Sequence, residues 1–70
     1  MKYLIVIEQT QTGFSGYSPD LPGCIATANT RDEIEQEMKA AIAFHLDSLK
    51  AEGMAIPKPS SSSSYVEIPV

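Results

Sequence analysis

The chain has 70 residues, a mass of 7.6 kDa, a formal net charge of −4 and a pI near 4.6. A single cysteine and a single histidine exclude a disulfide framework and a Cys/His metal site. Lys2, Arg31, Lys39, Lys50 and Lys58 are scattered, so the basic footprint of a nucleic-acid binder is missing too.

Residues 2–8 (KYLIVIE) are rich in β-branched and aromatic types and predict a first strand. Both of its faces are apolar, Tyr3, Ile5 and Ile7 on one and Leu4 and Val6 on the other. A strand half-exposed to water would alternate with polar residues. Gln9 to Gly13 reads as a polar turn, and Phe14 to Ser18 as a returning second strand. Pro19-Asp20-Leu21-Pro22-Gly23 follows as a rigid loop, because two prolines fix φ and an aspartate caps turns. Cys24 to Ala28 predicts a third strand, and the short connections imply an antiparallel meander.

Thr30-Arg31-Asp32-Glu33 is a capping-box pattern that opens a helix from Arg31 to about Glu52, with Gly53 as its C′ residue. Ile34, Met38, Ala41, Ile42, His45 and Leu49 share one arc of its wheel, and Leu46 lies at the edge of that arc. Pro57 and Pro59 end the helical pattern, and a serine-rich linker spans about residues 57–64. Tyr65 to Pro69 predicts a fourth strand, parallel to the first and at an edge of the sheet. The fold class is therefore α+β, in the order β-β-β-α-β, within one domain over residues 1–70. One helix covers one face of such a sheet. The other face is expected to be buried by another chain, with Tyr3, Ile5 and Ile7 as its first-strand residues.

The size of the chain supports that expectation. Folding 70 residues hides roughly 60% of the unfolded surface, which leaves a monomer marginally stable. Acidic charge favours a basic protein as the partner. The apolar run at the N-terminus stops at Glu8, too short for a signal peptide. No stretch reaches the ~20 apolar residues of a membrane span. The lone Cys24 suits a reducing compartment, and the expected location is the cytoplasm.

Few residues carry chemistry. His45 lies inside the apolar arc and reads as a hydrogen-bonded core histidine, without the partner that a catalytic base needs. Cys24 reads as a small buried hydrophobe, because nothing nearby in sequence activates a nucleophile. Glu8, Asp20 and Glu67 could form a metal-binding carboxylate cluster only if the fold brought them together. Phe44 sits off the apolar arc, either packed on the linker or last strand or serving as an interface anchor. Tyr17, Leu21 and Pro22 pose the same choice between covering the core and contacting a partner. No catalytic residue or cofactor is expected.

The loop Tyr17-Ser-Pro-Asp-Leu-Pro-Gly-Cys24 resembles the HicB-type antitoxin family, whose hallmark is a Pro-Asp-Leu-Pro-Gly-Cys turn between the second and third strands. The resemblance continues through Thr30-Arg-Asp-Glu33, Ala41-Ile-Ala-Phe-His-Leu46 and Gly53-Met-Ala-Ile-Pro-Lys-Pro-Ser60. It implies a partial ribonuclease-H-like domain without nuclease activity and with strand order 3-2-1-4. It also implies a homo-oligomer, dimer or tetramer, whose partner is a small basic HicA-like toxin that cleaves messenger RNA. Tyr17, Asp20, Leu21, Pro22 and Phe44 become the expected partner contacts. Ala28-Asn29 replaces the usual glycine and acidic residue before the helix, and Ile34 replaces a common alanine. Many family members continue into a helix-turn-helix or ribbon-helix-helix domain; here the chain ends at Val70 with neither, so direct binding of nucleic acid is not expected. The alternatives are a self-associating adaptor without a toxin and, less favoured, a metal-dependent nuclease using Glu8 and Glu67.

Overall fold

The computed structural model describes Met1–Val70. Three strands, β1 (Val6–Gln9), β2 (Phe14–Tyr17) and β3 (Ile25–Ala28), precede one helix, α1 (Arg31–Ala51). The strands form an antiparallel meander in the order β1-β2-β3. Its register sets Ile7 opposite Gly16 and Gly16 opposite Ala26, so these three residues share a face. The next row on the other face is Val6, Tyr17 and Ile25.

Helix α1 lies over β3 and β2. Thr30 is its N-cap, in extended conformation, and its Oγ1 accepts a hydrogen bond from the Glu33 N–H at 3.1 Å. At the far end the Gly53 N–H donates to the Lys50 carbonyl and the Met54 N–H to the Leu49 carbonyl. This is a Schellman closure, and it needs the left-handed φ of 71° that Gly53 supplies. Asp32 and Glu33 in the first turn and Lys50 in the last complement the helix dipole.

Ile34 and Met38 from α1 meet Leu21 and Cys24 in a fully or nearly fully buried core. Gly16 makes this approach possible: a Cβ there would stand 3.0 Å from Met38 Cγ and 3.2 Å from Ile34 Cγ1. The helix has 21 residues and the strands four each. That is about 31 Å of helix against about 13 Å of strand, so the C-terminal half of α1 runs on beyond the sheet.

Two features of the sequence reading change. The first strand begins at Val6 rather than Lys2, because β2 ends at Tyr17 and leaves residues 3–5 with no ladder to join. There, one bond replaces the ladder: Ser18 Oγ donates to the Leu4 carbonyl at 3.0 Å. The fourth strand predicted over Tyr65 to Pro69 is not formed within the single chain. These residues are exposed, and their only backbone bond is a local one from the Val70 N–H to the Ile68 carbonyl. The structure therefore shows a three-stranded α+β fold.

Candidate partner-binding site

The loop between β2 and β3 is held from within. Ser18 N–H donates to the Cys24 carbonyl, Leu21 N–H to the Ser18 carbonyl, and Cys24 N–H to the Leu21 carbonyl. The two prolines make this winding rigid, and it drives Leu21 fully into the core. Leu21 therefore covers the core and is not available as a partner contact. Pro22, next to it, is exposed.

Asp20 has a task within the fold. Its carboxylate accepts four hydrogen bonds from across the chain: Ser60 N–H at 3.1 Å, Ser60 Oγ at 3.0 Å, Ser61 N–H at 3.2 Å and Ser61 Oγ at 2.8 Å. The Ser61 hydroxyl, the strongest influence, and then the other donors hold the Asp20 pKa below its ordinary 3.8, against a partial desolvation. Tyr3 Oη adds a bond to the Pro57 carbonyl. The serine-rich linker is thus pinned at residues 57–61 rather than free along its length. From the sequence the serines read only as a linker. The signal was an Asp in a rigid loop and two adjacent Ser residues, forty positions apart.

The sheet presents two unlike faces. Tyr3, Ile5 and Ile7 turn toward the helix side and pack against the core cluster. They do not form the open face, which belongs to the opposite set of residues. Because α1 lies over β2 and β3 rather than β1, part of this first-strand surface remains accessible. Tyr3, Ile5 and Ile42 rim a groove of about 240 Å³. On the open face, Tyr17 and Ile25 are exposed, Ile25 at 71%, and Val6 beside them is half-buried. Glu8, Ser15 and Thr27 form the adjoining polar row. An apolar row bordered by polar residues is the surface pattern of a protein contact.

A second exposed feature runs along the flank of α1 nearest β3. Glu33 and Glu37, one turn apart, line an open polar cleft of about 410 Å³ with Thr10, Thr12 and Asn29. Phe44 follows on the same flank, seven residues beyond Glu37, and is 76% exposed. Most of its ring is therefore open to solvent in the single chain. Carboxylates beside a bare aromatic ring suit a basic partner with an apolar anchor.

The remaining chemistry-bearing residues do not converge. Glu8 ends β1, Glu67 lies in the exposed tail and Asp20 is engaged by the serines. No three His, Cys, Asp or Glu side chains are grouped to hold a metal ion. Cys24 is buried, and desolvation pushes its thiol pKa up, which keeps it neutral and a poor nucleophile at pH 7. His45 is half-buried on the core side of α1. No helix is long and apolar enough to cross a membrane.

Comparison with known proteins agrees with this architecture. The family described as HicB-like antitoxin of bacterial toxin-antitoxin system matches residues 3–69. A 14.9 kDa protein from the rep-hol intergenic region of Haemophilus phage HP1 is 32% identical over 69 residues, covering 99% of this chain and 52% of the phage protein. The chain thus spans about half the length of that relative. A UPF0150 protein of Thermoplasma acidophilum is 34% identical over 59 residues, 83% of this chain and 86% of its own. Among solved structures, a chain of the HicA3 and HicB3 toxin-antitoxin complex superposes with a TM-score of 0.74 at 38% identity. That superposition covers 86% of this chain and 70% of the other. With the family pattern running through all but the first two residues and the last, the chain belongs to the HicB-like antitoxins of bacterial toxin-antitoxin systems.

Proposed function

We propose that this protein is an antitoxin that neutralises a small basic HicA-like toxin by covering the surface with which the toxin cleaves messenger RNA. It acts in the cytoplasm by binding, without catalysis or cofactor, as a self-associated domain spanning residues 1–70 and without direct contact to nucleic acid. The observation that carries this reading is the likeness, at 38% identity, to a chain of a solved toxin-antitoxin complex.

The surface supports it physically. A net charge of −4 speeds the encounter with a basic protein and orients it. The row Val6-Tyr17-Ile25 offers an apolar contact large enough to anchor a partner, and Glu33, Glu37 and Phe44 offer an acidic flank with an aromatic ring. Of the residues first considered, Tyr17, Pro22 and Phe44 stay accessible for this role, Asp20 is partly exposed while it holds the serines, and Leu21 is buried.

The test is to combine the purified protein with the basic toxin encoded beside it and to follow cleavage of a messenger RNA. Equimolar protein is expected to stop cleavage, with a complex visible by gel filtration. Undiminished cleavage, with no complex at micromolar concentrations, would refute the reading.

A further inference from the structure

The free edge of β1 and the detached C-terminal tail fit one another. Strand β1 has a hydrogen-bonded neighbour on one side only, so its other edge presents unpaired backbone groups. Two grooves border that edge. On the helix side, Tyr3, Ile5 and Ile42 line one of about 240 Å³. Along the edge itself, Leu4, Ile5, Val6 and Ile7 line a second of about 320 Å³ with Arg31, and Ser63, Ser64 and Tyr65 reach its rim. A strand laid along this edge would need apolar side chains on the face toward the helix-side groove.

The sequence Tyr65-Val66-Glu67-Ile68-Pro69-Val70 offers one fully apolar face and a mixed one. Val66, Ile68 and Val70 alternate with Tyr65, Glu67 and Pro69. Nevertheless the tail arrives beside β1 and then leaves it. Tyr65 and Val70 are fully exposed, Val66 is 77% exposed and Ile68 62% exposed. The Asp20 clasp on Ser60 and Ser61 fixes the point of departure, so that only the residues beyond Ser61 are free to choose a direction.

The dimensions measure what this leaves open. The radius of gyration is 13.9 Å, with extents of 49 × 26 × 17 Å, against about 11 Å for a compact chain of this length. The accessible surface is 5588 Å², where a compact 7.6 kDa monomer exposes about 4,300 Å². The excess is about 1,300 Å² per chain. Removing it from two copies at once would bury an area above the roughly 1,200–2,000 Å² of a stable protein interface.

We infer that the tail Tyr65–Val70 is an exchange strand: each copy lays it along the free β1 edge of a second copy, so that two sheets of four strands form together. Val66 and Ile68 enter the groove beside Tyr3, Ile5 and Ile42, and Pro69 sits at the strand end, where a missing N–H costs no ladder bond. The inference rests on the self-association in the proposed function and is independent of the toxin, since it uses the β1 edge and leaves Tyr17, Ile25 and Phe44 uncovered.

The test is isotope-filtered NOE spectroscopy on a one-to-one mixture of labelled and unlabelled full-length chain, together with sedimentation of the wild type and of Glu67→Pro. Glu67 is exposed and makes no side-chain hydrogen bond, so its replacement spares the core while removing a strand donor. The expected results are methyl contacts from Val66 and Ile68 to Ile5 that cross between chains, a wild-type dimer, and at least a tenfold weaker dimer for Glu67→Pro with an unchanged helical signal. The same contacts found only within a chain, or a dimer unaffected by Glu67→Pro, would overturn the exchange and leave self-association through another face. A monomeric wild type at about 100 μM, where a dimer of micromolar Kd would be largely assembled, would overturn both.

Discussion

The two faces of the β-sheet are built from the same twelve strand residues and meet different fates. Ile7, Gly16 and Ala26 lie beneath α1, and the smallness of Gly16 lets Ile34 and Met38 close onto the sheet. Val6, Tyr17 and Ile25 make a row of larger side chains that the chain leaves largely open at Ile25 and only partly covered at Val6 and Tyr17. The contrast teaches that apolar content alone does not mark a core. What sorts the faces is room for the helix: the bare Gly16, flanked by Ile7 and Ala26, admits α1, whereas the other face has no such gap.

The strongest way to disturb the helix-side face is Leu21→Ala. Leu21 is fully buried at the loop end of the core, so its truncation should cost about 2–5 kcal/mol, read as a drop in the midpoint of urea unfolding. Gly16→Val should cost about 1–3 kcal/mol, because even a Cβ meets Met38 and Ile34 and a branched side chain forces them apart. Gly16→Ala, which asks only the flexible Met38 side chain to shift, should be milder in the same assay. If valine were tolerated without loss, the tight docking of α1 on β2 would be wrong.

The open face should respond in the opposite sense. Ile25→Asp is expected to change stability by less than about 0.5 kcal/mol, since the side chain touches little in the single chain. The same substitution should weaken toxin binding at least tenfold by calorimetric titration, through an unpaired charge in an apolar contact. A large loss of stability with unchanged binding would reverse the assignment of the two faces.

The smallest effect lies at the clasp and is seen only in acid. Asp20 titrates below 3.8 in the folded chain, chiefly through the Ser61 hydroxyl, and near 3.8 when unfolded. The unfolded state therefore takes up the proton first as pH falls. The stabilisation is present above about pH 4 and disappears as pH drops through the lowered value. Asp20→Asn should remove this part of the acid limb in a pH series of thermal melts. It should also release residues 57–61, detectable as faster amide exchange at Ser60 and Ser61.

Much of the fold was legible because local signals agreed with one another. Thr30 and Gly53 mark the helix ends by chemistry that acts within one turn, and both stand where the sequence reading put them. The turns around Gly13 and Pro22 imposed the meander. What was not legible depends on contacts distant in sequence. The alternation of β1 is apolar on both faces, so it could not say which face meets α1; the register with Gly16 decides that. The pairing of Asp20 with Ser60 and Ser61 carries no spacing signal, and Leu21 in the core follows from how the loop winds. The tail reads as a strand because it has a strand's composition, but a strand also needs an edge to pair with, and within one chain it does not take one.

The central claim is that the sheet face turned away from α1 is where a partner binds. Hydroxyl-radical footprinting of Tyr17, Ile25 and Phe44, alone and with the toxin, tests it most directly. The account predicts strong protection of Tyr17 and Ile25 in the complex, with Phe44 protected if the acidic flank takes part. Unchanged labelling of Tyr17 and Ile25 in a complex that nonetheless blocks RNA cleavage would contradict it.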